Sequence, residues 1–559
     1  MNGKFSLGID FGSNSVRALF IDAATGEEFG TGVAGYPSGD KGVITDSSNP
    51  HVARQRPSDY LSSMEKAVRL ALEEANAKSG FGSDRVVGIG VDTTGSTPIP
   101  VDSSNRPLEE KPDFRDNPNA LAWMWKDHSG MEEAEKITAL AKKIRPNYLA
   151  KCGGVYSSEW FFSKIWHCLN AAPEVFDAAA SWVEFADFIP AALAGIDDPK
   201  KIKRSVCAAG HKAMFSSEWE GLPDAEFLAA LDERLPKCLD GLYDTAYPAD
   251  EIAGLLCPEW ASRFGLSEGI PIAVGAFDAH FGAVGAGVGP GRLVKIIGTS
   301  TCDLMVAPNT EKLPDIPGVC GVVDGSVLPG YYGIEAGQSA VGDIFNWFVS
   351  KICRGGDAEF AELTTEAERL LPGESGLLAL DWNNGNRTIL VDPKLTGLVM
   401  GLTLHSTRAE IFRTLVEATA FGARKIIDRL EEYGVKVEDV VNCGGIAEKN
   451  PMLMDIYANV LNRPMRVSAS SQTCALGAAM FGAVVGGVYG NVEDAQKTIC
   501  AFKERVYEPA PQAAAVYDEL YGIYSEIHDG FGVEGAPYDH YGAMKRLLAV
   551  SSRVRTEKK

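Results

Sequence analysis

Hydrophobic and polar positions alternate with a period of two at the start of the chain. Residues 5–10 and 16–21 follow this pattern, and residues 11–15 between them form a short stretch rich in Gly and Ser. A second turn at residues 24–26 leads towards a third strand. Because alternation interrupted by turn residues is typical of antiparallel strands, the pattern predicts a β-meander and not a βα unit.

The same succession of strand, turn and strand recurs about 290 residues later. Residues 293–297 form an apolar strand pattern, residues 298–302 are rich in Gly and hydroxyl side chains, and residues 303–306 resume the strand. Each turn brings main-chain N–H groups and small hydroxyls to a tight hairpin. Two such hairpins that face each other can hold a polyphosphate from both sides. For either turn alone, an ordinary structural turn is the alternative.

Helical periods alternate with strand patterns in the first half of the chain, which favours an α/β architecture. One helix is predicted to have Ser58 as its N-cap and to run to about Lys78. A buried strand is predicted to follow at residues 86–91. A small irregular insertion is expected around residues 113–182.

A similar alternation returns near the C-terminal end. Thr407 and Glu410 have the spacing of a capping box, and Gly434 is expected to end the helix that they begin. A short strand at residues 440–441 then leads into the glycine-rich residues 443–445.

A long uncharged run covers residues 467–492, and its apolar part, residues 474–490, holds five glycines. That apolar part is about 17 residues long, whereas a bilayer-spanning helix needs roughly 20. The run therefore predicts a helix buried against a sheet, and no membrane role.

Composition and charge limit the classes of partner. The 559 residues include 53 basic and 75 acidic side chains, a net charge of −22, and the length suggests roughly two to four domains. Such an acidic surface repels nucleic acid and anionic lipid, so neither is expected as a partner. Eleven cysteines without a C-x-x-C pair, and no leader-like N-terminus, favour a reducing, cytoplasmic setting.

Several enzyme classes lack their motifs in this sequence. There is no Walker A loop, no H-E-x-x-H, no G-x-S-x-G and no Cys/His metal spacing. The glycines at residues 282–291 do not have the G-x-G-x-x-G spacing of a dinucleotide loop. The alternation of strands and helices predicts two α/β domains that divide near residues 287–291. These are residues 1–287 and 288–545, followed by a basic tail at residues 546–559.

Two aspartates stand at the ends of predicted strands. Asp10 precedes the first turn, where a carboxylate can hold Mg²⁺ beside phosphate oxygens, although Asp is also a common turn residue. Arg17, just past that turn, can meet a phosphate or be an exposed strand residue. Asp278 follows an apolar strand at residues 272–274 and is our candidate catalytic residue. The alternative for Asp278 is a helix N-cap.

The combination of these segments resembles the FGGY carbohydrate kinases, within the wider sugar kinase, Hsp70 and actin superfamily. Residues 10–17 and 298–301 look like the two phosphate loops of that family, and residues 443–451 like its adenosine motif. Residues 158–166 look like the first FGGY signature, and residues 397–402, running on to Arg408 and Glu417, like the second. The resemblance spans about residues 4–545. It implies two actin/Hsp70/hexokinase-like (ribonuclease H-like) α/β domains with a cleft between them.

Within the family, the chain most resembles the bacterial L-ribulokinase subgroup of arabinose catabolism. Residues 90–98 and 207–214 look like segments typical of that subgroup. Many other FGGY kinases carry a Gly-Gln-x-His-Gly type of motif at the first of these positions, and this chain does not. That difference argues against glycerol, xylulose or gluconate as the substrate.

The resemblance implies ATP-dependent phosphorylation of the terminal hydroxyl of L-ribulose, with Asp278 as the base and Asp10 holding Mg²⁺. It places nucleotide contacts at Ser13, Asn14, Arg17, Gly298, Thr299, Ser300, Gly444, Gly445 and Asn450. It places sugar contacts at Ser96, Trp125, Lys212, Asp278 and Glu335. From the residues alone, Lys212 and Glu335 could instead each pair with another surface charge, and Trp125 could be a core residue, with Trp123 close by.

Other hypotheses remain open at this point. Another pentulose or a pentitol, such as D-ribulose or ribitol, is an alternative acceptor within the family. A non-sugar ATPase of the actin or Hsp70 type shares the two hairpins and the adenosine motif but has no use for the FGGY-like signatures. An inactive sugar-binding regulator would not need Asp10 and Asp278. The family resemblance also implies a homodimer.

Overall fold

The computed structural model describes residues 3–537 and 540–541. Its strands are β1 (Phe5–Phe11), β2 (Ser15–Asp22), β3 (Glu28–Gly35), β4 (Ile44–Thr45), β5 (Ala53–Gln55), β6 (Val86–Thr93), β7 (Pro98–Val101), β8 (Ala122–Trp123), β9 (Ser181–Glu184), β10 (Arg204–Ser205), β11 (Ala246–Tyr247), β12 (Ile252–Leu255), β13 (Pro271–Ala273), β14 (Ala276–Phe277), β15 (Arg292–Ile297), β16 (Thr301–Pro308), β17 (Gly321–Asp324), β18 (Tyr331–Ala336), β19 (Leu378–Leu380), β20 (Leu398–Met400), β21 (Asp439–Cys443) and β22 (Met465–Val467).

The α-helices are α1 (Pro57–Asn76), α2 (Met131–Ile144), α3 (Asn147–Ala150), α4 (Phe161–Ala171), α5 (Pro173–Ala178), α6 (Phe185–Ala194), α7 (Val206–Lys212), α8 (Ala225–Leu231), α9 (Pro258–Phe264), α10 (Asp278–Gly285), α11 (Gly342–Trp347), α12 (Asp357–Glu368), α13 (Arg408–Glu432), α14 (Gly445–Lys449), α15 (Pro451–Leu461), α16 (Thr473–Val485), α17 (Val492–Ile499) and α18 (Pro511–Gly532).

Two mixed sheets organise these elements, and each contains an antiparallel meander extended by parallel strands. The first sheet has the order β12-β13-β6-β1-β2-β3, with β14 also pairing with β6. In it, β1, β2 and β3 are antiparallel neighbours, whereas β6 runs parallel to β1. The second sheet has the order β17-β18-β16-β15-β21-β22, with β21 parallel to β15. We call the parts of the chain that build the first and second sheets the first and second lobes.

Both predicted hairpins are confirmed. The turn after β1 joins strands paired from Phe5↔Asp22 to Phe11↔Val16, and the turn after β15 closes the pair Ile297↔Thr301. The two turns therefore occupy corresponding places at the ends of the central strands of the two sheets. The strand at residues 86–91 is also confirmed as part of β6.

Helix α16 shows how closely the two lobes pack. It follows β22 of the second sheet in the chain, yet it lies on β1 and β6 of the first sheet. The contact is between backbones, because a Cβ added at Gly8 or Gly90 would overlap the carbonyls of Ala475 and Ala478. The predicted helix of the uncharged run is thus confirmed as buried. In the described part of the chain, no helix is long and apolar enough to cross a membrane.

The capping box is confirmed, but the predicted cap of the first helix is wrong. Thr407 and Glu410 bond to each other's main chain at the start of α13, and Gly434 follows its end with φ 89°. Helix α1 instead has Arg56 at its N-cap position and Pro57 as its first residue. The main-chain N–H of Ser58 donates to Glu109 (3.0 Å), so Ser58 is already inside the helix.

The insertion expected around residues 113–182 is larger and more regular than predicted. It contains α2 to α5 and builds a core of its own, in which Trp123, Trp166 and Trp182 are buried. The predicted domain boundary near residue 287 lies between α10 and β15 and stays a prediction. The whole of the predicted basic tail, residues 546–559, lies outside the described residues, as do residues 542–545.

Candidate active site

Three acidic side chains meet at the carboxyl end of the central strands of the first sheet. Asp10 on β1 pairs in parallel register with Asp92 on β6, and Ala276 of β14 pairs with Asp92 from the other side. Two residues later, Asp278 is the first residue of α10 and accepts a hydrogen bond from the Ala279 N–H (2.7 Å). Asp278 therefore follows a buried strand as predicted, and Phe277 occupies the N-cap position.

Burial raises the pKa of all three acids, and the charges of neighbouring acids add to this effect for Asp278 and Asp92. Burial, followed by the charge of Asp10, raises the pKa of Asp278 to about 7. Burial and the charges of Asp10 and Asp278 raise the pKa of Asp92 well above its ordinary value. Burial also raises the pKa of Asp10, although the neighbouring Asp92 and the charge of Arg17 act the other way. Both Asp92 oxygens lack a protein donor. A divalent cation would relieve this repulsion, so the donor set fits Mg²⁺.

The first hairpin turn leaves main-chain donors available. Gly12 N–H donates to Ser15 O (3.0 Å), while the N–H groups of Ser13 and Asn14 have no acceptor among the described residues. The Asn14 side chain donates to Lys41 O (2.6 Å), and Arg17 lies 4.0 Å from Asp10. The turn can therefore receive an anion through its backbone, with Arg17 beside it.

The second hairpin turn has the same property. Gly298 N–H donates to Ser300 O (2.9 Å), and the N–H groups of Thr299 and Ser300 have no acceptor in the described part of the chain. The carbonyl of Thr299 accepts from Val341 N–H (2.8 Å), which fixes the turn against the start of α11. Beneath it, Lys295 forms a buried ion pair with Asp303 (2.8 Å). The loop is therefore rigidly supported while its donors stay exposed.

The segment after β21 lies directly beside the second turn. Gly444 has φ 98°, and a Cβ there would lie 2.5 Å from Ile297 O, so this position requires glycine. Gly445 begins α14, and the Asn450 side chain caps α15 by accepting from Leu453 N–H (3.1 Å). Asn450 thus has a structural task, and its predicted contact with the nucleoside stays a prediction.

Lys212 and Glu335 form a buried ion pair that joins the two lobes. Lys212 ends α7 in the first lobe, Glu335 lies on β18 of the second, and Nζ donates to both carboxylate oxygens (2.9 and 3.1 Å). The alternative that each pairs with some other surface charge is therefore wrong. Burial alone would raise the pKa of Glu335, but the charge of Lys212 and a hydrogen bond from His280 hold this pKa well below its ordinary value.

Two histidines complete this cluster. His280 Nε2 lies 3.1 Å from Glu335 Oε2, and His211 Nε2 lies 2.9 Å from Ser326 Oγ. Burial alone would lower the pKa of His280, but Cys207 and Glu335 outweigh burial and raise this pKa to about 9. His211, His280 and Glu335 lie close enough to hold a metal ion, but Lys212 Nζ already supplies a cation to Glu335.

Ser96 and Trp125, two further predicted sugar contacts, are held by different partners in the first lobe. Ser96 Oγ donates to Glu184, and Lys164 Nζ donates to Ser96 O (2.7 Å). Trp125 is partly exposed and its Nε1 donates to Ser13 Oγ (3.0 Å), which joins it to the first hairpin turn. Trp123, in contrast, is fully buried. Of the two tryptophans, Trp125 is the one available to a ligand.

Sequence reasoning missed several residues that support this site. Asp92 could have been found, because residues 8–10 and 90–92 both read Gly, apolar, Asp at the end of a strand. Lys164 lies within the first signature, but nothing local shows that its ammonium holds Ser96. His280 is two positions after Asp278, and its contact with Glu335 depends on the tertiary fold.

Two family models together match most of the chain. The model of the N-terminal domain of the FGGY family of carbohydrate kinases matches residues 5–285, and the model of its C-terminal domain matches residues 293–485. The chain is 40% identical to the protein named ribulokinase from Halalkalibacterium halodurans, over 99% of this chain and 98% of the relative. It is 41% identical to the ribulokinase of Vibrio parahaemolyticus, over 93% and 95% of the two chains.

Solved structures with the same fold are also sugar kinases by title. A kinase from Brucella ovis titled as acting on xylulose superposes with a TM-score of 0.79 at 21% identity, over 94% of this chain and 99% of the other. A glycerol kinase from Plasmodium falciparum with ADP gives a TM-score of 0.76 at 16% identity, over 94% and 98%. At these identities the likeness shows the two-domain fold alone.

Proposed function

The chain belongs to the FGGY family of carbohydrate kinases, and we propose that it transfers the terminal phosphoryl group of ATP to the 5-hydroxyl of L-ribulose, giving L-ribulose 5-phosphate and ADP. The observation that carries this proposal is the identity of about 40% with proteins named ribulokinase along nearly the full length of both chains. The reaction would belong to L-arabinose catabolism.

Asp278 is the proposed base. Phosphoryl transfer needs an acceptor in line with the bond that breaks and neutralisation of the phosphate charge, with little covalent work by the protein. The sugar O5 forms a bond to the terminal phosphorus as the bond from that phosphorus to the β–γ bridging oxygen breaks. Asp278 accepts the hydroxyl proton, and its raised pKa of about 7 suits a base that works near neutral pH.

The nucleotide would lie between the two hairpin turns. We propose that Ser13, Asn14 and Arg17 meet its phosphates from one side, and Gly298, Thr299 and Ser300 from the other. Gly444, Gly445 and Asn450 would border the nucleoside. Asp10, with Asp92 beside it, would hold Mg²⁺, which when bound neutralises phosphate charge and orients the terminal group.

The sugar would lie between the lobes, where Lys212 and Glu335 meet. Lys212 can donate to sugar hydroxyls and Glu335 can accept from them, and the pair is held rigidly by His280. Ser96 and Trp125 would add a hydroxyl and a partly apolar wall. Because this cluster combines groups from both lobes, sugar binding would favour their closure and exclude water from the triphosphate.

Two further proposals concern the protein's state. Each of the eleven cysteines lies in the described part of the chain and is free, which suits a reducing cytoplasm. We also propose a homodimer, as the family resemblance implies. Light scattering on the purified protein would give a mass near 60 kDa if the protein is a monomer instead.

An assay of ADP release with a panel of acceptors tests the function. The panel contains L-ribulose, D-ribulose, L-xylulose, D-xylulose and ribitol, each varied at saturating ATP and Mg²⁺. We expect the highest kcat/KM with L-ribulose, and a product whose phosphorus signal in NMR is that of a primary phosphate monoester. A higher kcat/KM with another acceptor would change the substrate. ADP release that does not depend on any sugar would instead support a non-sugar ATPase.

A further inference from the structure

Arg387 lies against the second hairpin turn in a segment without regular secondary structure. Its Nη2 donates to the carbonyl of Thr301, the residue that begins β16 immediately after the turn (2.5 Å). Gly337 makes this approach possible, because a Cβ at that position would overlap both Thr301 O and Arg387 Nη2. The guanidinium is therefore fixed within a few ångströms of the turn that offers the free N–H groups of Thr299 and Ser300.

The partly buried guanidinium of Arg387 lacks the carboxylate partner that three buried arginines have. Arg54, Arg204 and Arg413 each face a carboxylate, namely Asp127, Asp187 and Glu417. Among the described residues, no carboxylate lies within 4.0 Å of Arg387; its Nε is buried without an acceptor, as are those of Arg54 and Arg204. Glu335 and Glu159 act on Arg387 only from beyond 4.0 Å, so the guanidinium is free to pair directly with an anionic ligand.

Arg387 also lies close to the strand that carries Glu335, because a Cβ at Gly337, two residues after Glu335, would overlap Arg387 Nη2. Glu335, which pairs with Lys212, is among the charges that act on both Arg387 and Asp278. On its other side Arg387 touches the end of the second phosphate loop. In the proposed reaction, the phosphoryl group is transferred from the nucleotide held by that loop towards the sugar beside Asp278.

We propose that Arg387 contacts the phosphoryl group that is transferred and is therefore a further catalytic residue. The proposal rests on the kinase function proposed above. During transfer, the bond to sugar O5 forms and the bond to the β–γ bridging oxygen breaks, with charge spread over the three remaining phosphoryl oxygens. Arg387 donates hydrogen bonds to those oxygens and keeps all its protons, while the sugar proton goes to Asp278.

The test compares Arg387→Ala and Arg387→Lys with Arg429→Ala. Arg429 is the matched control, because it also donates to a main-chain carbonyl of the second lobe, that of Pro317, but on the surface (2.6 Å). We expect Arg387→Ala to lower kcat about 10²- to 10³-fold, Arg387→Lys to lower it less, and Arg429→Ala to leave it within about twofold.

Two readouts separate a catalytic from a structural role. Calorimetry should show that Arg387→Ala weakens binding of the ATP analogue AMPPNP with Mg²⁺ at least about tenfold, while ADP and L-ribulose bind within about threefold of the unchanged protein. Added guanidinium ion should restore the kcat of Arg387→Ala at least about fivefold, but not that of Asp278→Asn. Circular dichroism establishes folding, and if Arg387→Ala fails to fold, Arg387→Gln and Arg387→Lys carry the same measurements.

Clear results would overturn the proposal. Any one of three results is sufficient: a kcat of Arg387→Ala within threefold of the unchanged protein, an equal loss of AMPPNP and ADP binding in that variant, or no increase of its kcat on addition of guanidinium ion. The difference between AMPPNP and ADP is measured without sugar. It therefore tests Arg387 even if the acceptor panel shows that L-ribulose is not the preferred substrate.

Discussion

The activity should follow the protonation of Asp278. Only the carboxylate can accept the sugar proton, and burial together with the charge of Asp10 raises the pKa of Asp278 to about 7. A raised pKa means that the active form is lost as pH falls. At pH 6 about one molecule in eleven of the free enzyme would carry the charged form. We therefore expect kcat/KM for L-ribulose to be level above pH 8 and to fall about tenfold per unit below pH 7.

Replacement of this acid should remove both the rate and its pH dependence. Asn at position 278 has nearly the same shape and charge as protonated Asp but cannot accept a proton. A positioned base contributes roughly 10² to 10⁴ in rate, or about 3 to 5 kcal/mol of barrier, so Asp278→Asn should lower kcat by that factor. Binding of ATP with Mg²⁺, measured by calorimetry, should stay within a few-fold.

Asp187 provides a matched control. Burial raises its pKa to about 7 as well, but its partners are Arg204 (3.7 Å) and the Ser205 N–H (2.7 Å). Asp187→Asn should keep the midpoint of the pH profile even if it lowers stability. Both variants are compared by kcat/KM, because slow product release can hide a chemical step in kcat. The assignment would be refuted if Asp278→Asn kept a tenth or more of the original kcat/KM, or if its pH profile kept the same midpoint.

Three further outcomes follow from the packing between the lobes. Lys212→Met should raise the KM for L-ribulose at least about tenfold in steady-state assays, since a hydrogen bond to a charged group contributes about 1.5 to 3 kcal/mol. An unchanged KM would show that Lys212 does not contact the sugar. Gly90→Ala should lower the free energy of unfolding in urea by about 1 to 3 kcal/mol, because the added Cβ overlaps Ala478 of α16. As a control, Gly522→Ala has open space around the added Cβ and should raise the free energy of unfolding by about 0.5 to 1 kcal/mol. The radius of gyration from X-ray scattering should decrease when L-ribulose and AMPPNP bind together, and no change would argue against domain closure.

Local sequence determines the parts of the fold that could be predicted. The hairpin turns follow from alternation interrupted by small polar residues, and the start of α13 follows from two side chains, Thr407 and Glu410, three positions apart. The prediction of Ser58 as a cap was wrong because a distant residue intervenes. Glu109, 51 positions away, takes the Ser58 N–H, and Pro57 already fixes the first turn.

The site itself depends on contacts that no local pattern carries. Lys212 and Glu335 are 123 positions apart, and their pairing requires α7 of one lobe to meet β18 of the other. Residue types alone allowed each to pair with a surface charge, and the family resemblance alone brought them together. Arg387 is 86 positions from Thr301 and lies in a segment with neither helical nor strand period, so the sequence offered no signal for it.

The charge balance of the cleft explains why such a protein would need a divalent cation. The chain carries a net charge of −22, and three acids, Asp10, Asp92 and Asp278, stand where the triphosphate is proposed to enter. The positive charges nearby are largely committed, since Lys212 is matched by Glu335 and Arg17 lies 4.0 Å from Asp10. Main-chain N–H groups, Arg17 and Arg387 are proposed to meet the phosphates, and two guanidinium charges cannot offset three carboxylates as well as a triphosphate in a low-dielectric cleft. The metal would therefore neutralise the acids of the protein as much as the phosphates of the nucleotide.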